Sequence, residues 1–167
     1  MKKLVLALFA LIAVTLTAVE LEIDGKFSDF SKTWRISSQK VGTVELVPDQ
    51  GVNYVQLSAE AGKRSSIGIL TAGQGIQSKK GDVFTISVDV KGGPLEVSII
   101  EYGSKKYLGA TKQIFRATGK ADTRKVSFTV REPNTDSVRI AFKVKRGATA
   151  VISNVKVDMK TASAPEK

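Results

Sequence analysis

Neither cysteine nor histidine occurs anywhere in this chain. Their absence excludes a Ser-His-Asp or Cys-His nucleophile system, a zinc finger and a His-ligated catalytic metal. It also excludes disulfides, so stability has to come from packing or from a bound ion. Tryptophan appears once, as Trp34, and proline four times. Apolar residues at helical spacing are almost absent beyond the first residues. For an enzyme, this leaves carboxylate chemistry, such as a small glycosidase with paired Glu or Asp about 5 to 9 Å apart. Glu20, Glu22 and Asp24 alternate, so an extended strand places all three on one face. An N-terminal edge strand whose charges discourage intermolecular pairing gives the same pattern.

What the chain does have begins with MKKLVLALFALIAVTLTA, two lysines before an apolar run from Leu4 to Val14. This is the layout of a secretory signal peptide over residues 1–18, and the run is short of the about 20 apolar residues that span a membrane. Membrane attachment is expected only if the leader stays uncleaved. The rest suffices for one domain, residues 19–160, followed by a flexible polar tail, 161–167. The net charge is +10. For an exported monomer, that surplus favours acidic glycans, wall polymers or lipid headgroups as partners. No aromatic ladder accompanies the cations, so nucleic acid is not an expected partner.

Alternation with period two recurs throughout, in VELEI, WRISS, TVELV, NYVQLS, SSIGILT, DVFTISVDV, LEVSIIE, KQIFRA, RKVSFTV, SVRIAFKV and TAVISNVKVD. Turn formers rich in Gly, Pro, Asn or Asp stand between them, for example QSKKGD, KGGP and REPNTD. The pattern predicts an all-β, two-sheet antiparallel sandwich. It also assigns faces. Phe84, Ile86, Val88 and Val90 belong to the core, as do Val126, Phe128 and Val130, and Val138, Ile140, Phe142 and Val144. Those last two strands turn Lys125, Arg131, Arg139, Lys143 and Lys145 outward as a basic row. LEVSIIEY is apolar on both faces, so it is covered on both or lines a groove.

Sugar sites combine flat rings with a few convergent polar groups. Tyr54 with Gln56, Tyr102 and Tyr107 flanking the Gly103–Lys106 turn, Glu96, Arg139 and Lys143 are the candidate ligand-binding residues. Each tyrosine taken alone also fits an amphipathic residue at a sandwich edge. Hard cations take carboxylate oxygens, and Asp24, Asp29 and Asp158 are the candidate ligands for a structural calcium pinning the two chain ends together.

The order of features, IDGKFSDFSKTW, then VNYVQLS, SKKGDVFTISVDVKG, a strand closing on Glu-Tyr, KVSFTVREPNTDSVRIAFKV and AVISNVKVD, resembles the carbohydrate-binding modules of the galactose-binding-like β-sandwich superfamily. The resemblance implies a jelly roll, poly- or oligosaccharide binding without catalysis, and a structural calcium between the first turn and the last strand. Such modules commonly have Phe-Glu in the opening phrase, where this chain has Phe27 and Ser28, with Asp29 one residue later. They also use the tryptophan at this place mainly to pack the sandwich, so Trp34, sharing a face with Ile36, is expected in the core. The expected function is an exported, non-catalytic carbohydrate-binding protein, with anionic glycans favoured. The alternatives are a structural or interaction protein of the cell envelope and a small glycosidase.

Overall fold

The computed structural model describes residues 18–37, 41–49, 52–62 and 64–163, so the expected leader lies outside the described residues apart from Ala18. Along the chain come β1 (Val19–Glu20), α1 (Phe30–Thr33), β2 (Trp34–Ser37), β3 (Gly42–Asp49), β4 (Val52–Ala59), β5 (Ser66–Thr71), β6 (Ile76–Gln77), β7 (Val83–Gly93), β8 (Leu95–Gly103), β9 (Lys106–Phe115), β10 (Thr118–Thr129), β11 (Ser137–Lys145) and β12 (Thr149–Lys160). One sheet has the order β10-β7-β12-β4-β3, with β1 added to β12; the other runs β2-β5-β11-β8-β9, with β6 added to β11. All pairings are antiparallel, as the two-sheet sandwich expectation requires.

Alternation explains which face each strand buries. Phe84, Ile86, Val88 and Val90 of β7 point into the core, as do Val138, Ile140, Phe142 and Val144 of β11, so the inner faces of the two sheets close on one apolar layer. Each side chain of this kind contributes about 1.5–3 kcal/mol when fully buried. Trp34 joins them at 1% exposure. Its ring sits 5.6 Å from Phe27 and 5.8 Å from Phe142, and its Nε1–H donates to the Asp24 carbonyl at 3.0 Å. The indole is therefore a core residue with its one polar atom satisfied.

Every expected strand is present, but the first is shorter than its alternation suggests. After Leu21 donates to Val157 at 2.8 Å, the chain leaves the ladder and coils, with Ile23 N–H bonding Leu21 O and Gly25 N–H bonding Ile23 O. The coil brings Gly25 against β12, where Val155 N–H donates to Gly25 O at 3.1 Å and a Cβ on residue 25 would overlap the Val155 carbonyl. Glu20, Glu22 and Asp24 therefore do not share one extended face. Two elements had no signal in the sequence: β6 has two residues and α1 is a single turn, each too short for a periodicity to register. At the other end β12 runs to Lys160, and Ala162 N–H is still held by the Asp82 carboxylate at 2.8 Å.

The sheet order also divides the expected basic row. Lys125 lies on β10 and Arg131 just beyond it, at the edge of the first sheet. Arg139, Lys143 and Lys145 lie on β11, in the middle of the second sheet. In a sandwich the outer faces of the two sheets point in opposite directions, so the five cations do not form one row.

Candidate functional site

The outer face of the second sheet carries most of the candidate residues. Along β8, Glu96, Ser98, Ile100 and Tyr102 alternate with the core residues Leu95, Val97 and Ile99. The neighbouring strands hold these positions in register, with β9 placing Tyr107 opposite Tyr102 and β11 placing Lys143 opposite Glu96 and Arg139 opposite Ile100. This answers why β8 is apolar on both sides. It is the second strand from the sheet edge, and long side chains from β9 and β11 lie over its outer face, burying Glu96 to 8% exposure and Ser98 to 3%.

Tyr102 and Tyr107 meet edge to face, with ring centroids 6.4 Å apart and an interplanar angle of 81°. Their geometry is fixed by the turn between them. Ser104 and Lys105 both have positive φ (50° and 65°), the backbone of a primed hairpin turn whose twist matches the flanking strands. Ser104 N–H donates to the Asp136 carboxylate at 2.6 Å, anchoring the turn to the segment before β11. That bond and one from the Ser137 hydroxyl at 2.8 Å hold the Asp136 carboxyl below its ordinary range.

Behind that segment sits the buried Glu101. Its carboxylate accepts Arg131 N–H at 3.1 Å, Glu132 N–H at 2.8 Å and the Thr135 hydroxyl at 3.0 Å. A buried carboxylate with three donors acts as a clamp on the loop from β10 to β11.

Arg139 completes the centre of the site. Its guanidinium carbon lies 5.1 Å from the Tyr102 ring centroid, within cation–π range, and Nη2 donates to Gly73 O at 2.7 Å. Nε is buried and has no partner among the described residues, so an acceptor from a ligand or a water would complete the group. Tyr102 and Arg139 line a cleft of about 990 Å³ together with Gln74, Gln77, Lys79, Asp136 and Ser137. Tyr107 lines a second depression of about 280 Å³ with Glu96, Ser98, Lys112 and Lys143. The tyrosine pair therefore stands between two hollows on one face. In the second hollow the Glu96 carboxylate accepts Lys145 Nζ at 2.7 Å and lies 3.8 Å from Lys112 Nζ. Burial alone would raise its pKa; the Lys145 hydrogen bond and the charges of Lys145, Lys112 and Lys143 outweigh this and leave it below the ordinary value.

Five of the expected ligand-binding residues, Glu96, Tyr102, Tyr107, Arg139 and Lys143, thus come together. Tyr54 and Gln56 do not join them. They point outward from β4 in the opposite sheet, because Val55 and Leu57 between and beside them face the core. Gln74, Gln77, Asp136 and Lys112 were not singled out from sequence. The visible signal for the first two was the Gly-Gln-Gly-Ile-Gln stretch, in which Gly73 and Gly75 (φ 69° and 89°) turn the chain so that carboxamides reach the cleft.

Of the expected calcium ligands, Asp24 and Asp29 share the opening turn and Asp158 lies on β12. Both carboxylate oxygens of Asp24 accept backbone N–H groups, from Ser28 at 2.9 Å and Asp29 at 2.6 Å. Asp29 lies 3.5 Å from the Ser31 hydroxyl, and Asp158 pairs in register with Glu20 and Thr85. Among the described residues no three acidic side chains gather at one point.

No family model and no curated protein sequence matches the chain. Several solved structures do. A family 16 carbohydrate-binding module shares 15% identity over 81% of this chain and 96% of its own, with a TM-score of 0.55. A family 11 carbohydrate-binding module from Clostridium thermocellum, solved with a mixed-linked tetrasaccharide, shares 14% identity over 84% and 94%, with a TM-score of 0.57. The enzymatically active domain of tailspike protein 4 from bacteriophage CBA120 gives a TM-score of 0.61 at 17% identity over 80% of this chain, which spans only 20% of that one. At these identities the likeness is one of fold, and the fold is the jelly-roll β-sandwich that carbohydrate-binding modules adopt.

Proposed function

We propose that this protein is an exported, non-catalytic carbohydrate-binding protein that holds a poly- or oligosaccharide on the outer face of the β2-β5-β11-β8-β9 sheet and favours anionic glycans. The observation that carries the reading is the Tyr102–Tyr107 pair with Arg139 stacked on Tyr102, standing between two hollows lined by carboxamides, hydroxyls and lysines. Flat rings offer apolar area to the faces of sugar rings, and the polar groups around them suit hydroxyls and acidic substituents. The excess of lysine and arginine over carboxylate on this face supports the anionic preference. Solved carbohydrate-binding modules with the same fold lend weight to the class of ligand.

Retention on neutral and acidic polysaccharide gels tests the proposal. Tyr102→Ala is expected to weaken binding at least about tenfold, the scale of one well-packed aromatic contact. Failure of the unaltered protein to be retained by any polysaccharide overturns it. The envelope-scaffold alternative binds an anionic surface through the basic row, of which Arg139, Lys143 and Lys145 lie together on β11. The glycosidase alternative relies on three carboxylates sharing a face, and Asp24 is already committed to backbone amides.

A further inference from the structure

The hollow around Glu96 holds more positive charge than its carboxylate can neutralise. Lys145 and Lys112 approach the same oxygen of Glu96, while Lys143 stands directly opposite Glu96 in the β11–β8 register. Lys143 is half-buried, lines the hollow and makes no salt bridge among the described residues. Its stem crosses Gly68, where a Cβ would come within 2.6 Å of Lys143 Cγ, so the missing side chain leaves it room to lie against the sheet. Lysines that only keep a surface soluble repel one another into solvent; here three converge on one buried carboxylate that compensates only one of them.

We propose that Lys112 and Lys143, positioned around Glu96, form a subsite for an acidic substituent, a carboxylate or sulfate oxyanion, on the sugar chain that Tyr102 and Tyr107 hold. The inference rests on the glycan reading above and adds where the acid is recognised. About 20 Å of extended strand separates Glu96 from Tyr102 at the usual rise per residue. No single sugar touches both, so the ligand is a chain several rings long with its acid away from Tyr102, while Tyr107 lines the same hollow as Glu96. Glu96 competes with the ligand for Lys112 and Lys145.

The test measures affinity for a neutral β-glucan, polygalacturonate and dextran sulfate at physiological ionic strength. The ratio of acidic to neutral affinity is the readout. Lys112→Gln with Lys143→Gln is expected to lower that ratio at least about tenfold, the scale of losing charged hydrogen bonds. Glu96→Gln, which removes the internal competitor, is expected to raise it. Lys125→Gln with Lys156→Gln makes the same change in net charge on the opposite sheet and is expected to leave the ratio within about twofold. Comparison of polygalacturonate with dextran sulfate tells which oxyanion fits. Equal loss in both double variants, a ratio that does not rise in Glu96→Gln, or equal affinity of the unaltered protein for acidic and neutral polymers overturns the subsite while leaving glycan binding intact. Binding to vesicles containing an anionic phospholipid that depends on Lys112 and Lys143, with no polymer bound, overturns both.

Discussion

Trp34 is the one indole in the chain, and its surroundings decide what it can report. Enclosed between Phe27 and Phe142 at 1% exposure, it senses the core and not the site. Its emission maximum is expected to be blue-shifted in the native protein, unchanged by saturating glycan, and red-shifted on unfolding; a shift of the native maximum on glycan addition would place the ligand near the indole instead. Glu96 makes the second residue-scale prediction. Its carboxyl is held below the ordinary value, so it binds fewer protons folded than unfolded, and its contribution is present at neutral pH and lost as pH falls through the folded pKa. Glu96→Gln should therefore cost about 1 kcal/mol near pH 7, modest because both lysines that bridge to it are about half exposed. The gap to the unaltered protein should begin to narrow below about pH 4.3, where the unfolded carboxyl takes up its proton. Urea unfolding at pH 7 and pH 3 checks this, and a gap of constant size across that range is the contrary result.

At the scale of elements, period-two alternation was enough to find every long strand, because inward and outward residues are a local property of the pleat. It was not enough to say which sheet a strand joins. Tyr54 and Tyr102 both lie outward on their strands, yet β4 pairs with β12 and β8 with β11, and those long-range pairings put the two tyrosines on opposite sides. The same reason split Lys125 from Lys143. Loop conformation was equally hidden: nothing near Glu101 announces that it reaches across to Arg131, Glu132 and Thr135. That clamp supports the segment carrying Asp136, which in turn anchors the Tyr102–Tyr107 turn. Glu101→Ala leaves two backbone N–H groups and a hydroxyl without their acceptor and should cost about 1–3 kcal/mol for each group that water cannot reach. Hydrogen exchange at Arg131 and Glu132 should speed up, and glycan affinity should fall although no ligand contact is removed. Unchanged exchange at both amides would mean that the loop holds its shape without the clamp.

For the whole molecule, the informative quantity is how the cations of the described residues are divided between two opposite faces. The sheets of a sandwich pack about 10 Å apart, so cations on the far face lie well over 10 Å from a polymer in the groove. At 0.01 M salt the screening length is about 30 Å and such a polymer feels both faces; at 0.15 M it is about 8 Å and the far face is largely screened. Long-range attraction of this kind acts mainly on the association rate, whereas ion pairs desolvated at a contact act mainly on dissociation. Neutralising Lys125 and Lys156 should therefore slow association with polygalacturonate at low salt and have little effect at 0.15 M. Neutralising Lys112 and Lys143 should speed dissociation at both. Surface-immobilised polymer with rates measured at the two salt concentrations separates these outcomes. If the far-face pair alters dissociation at 0.15 M as much as the near-face pair does, the polymer wraps both sheets, and the groove on the β2-β5-β11-β8-β9 face is not the sole contact.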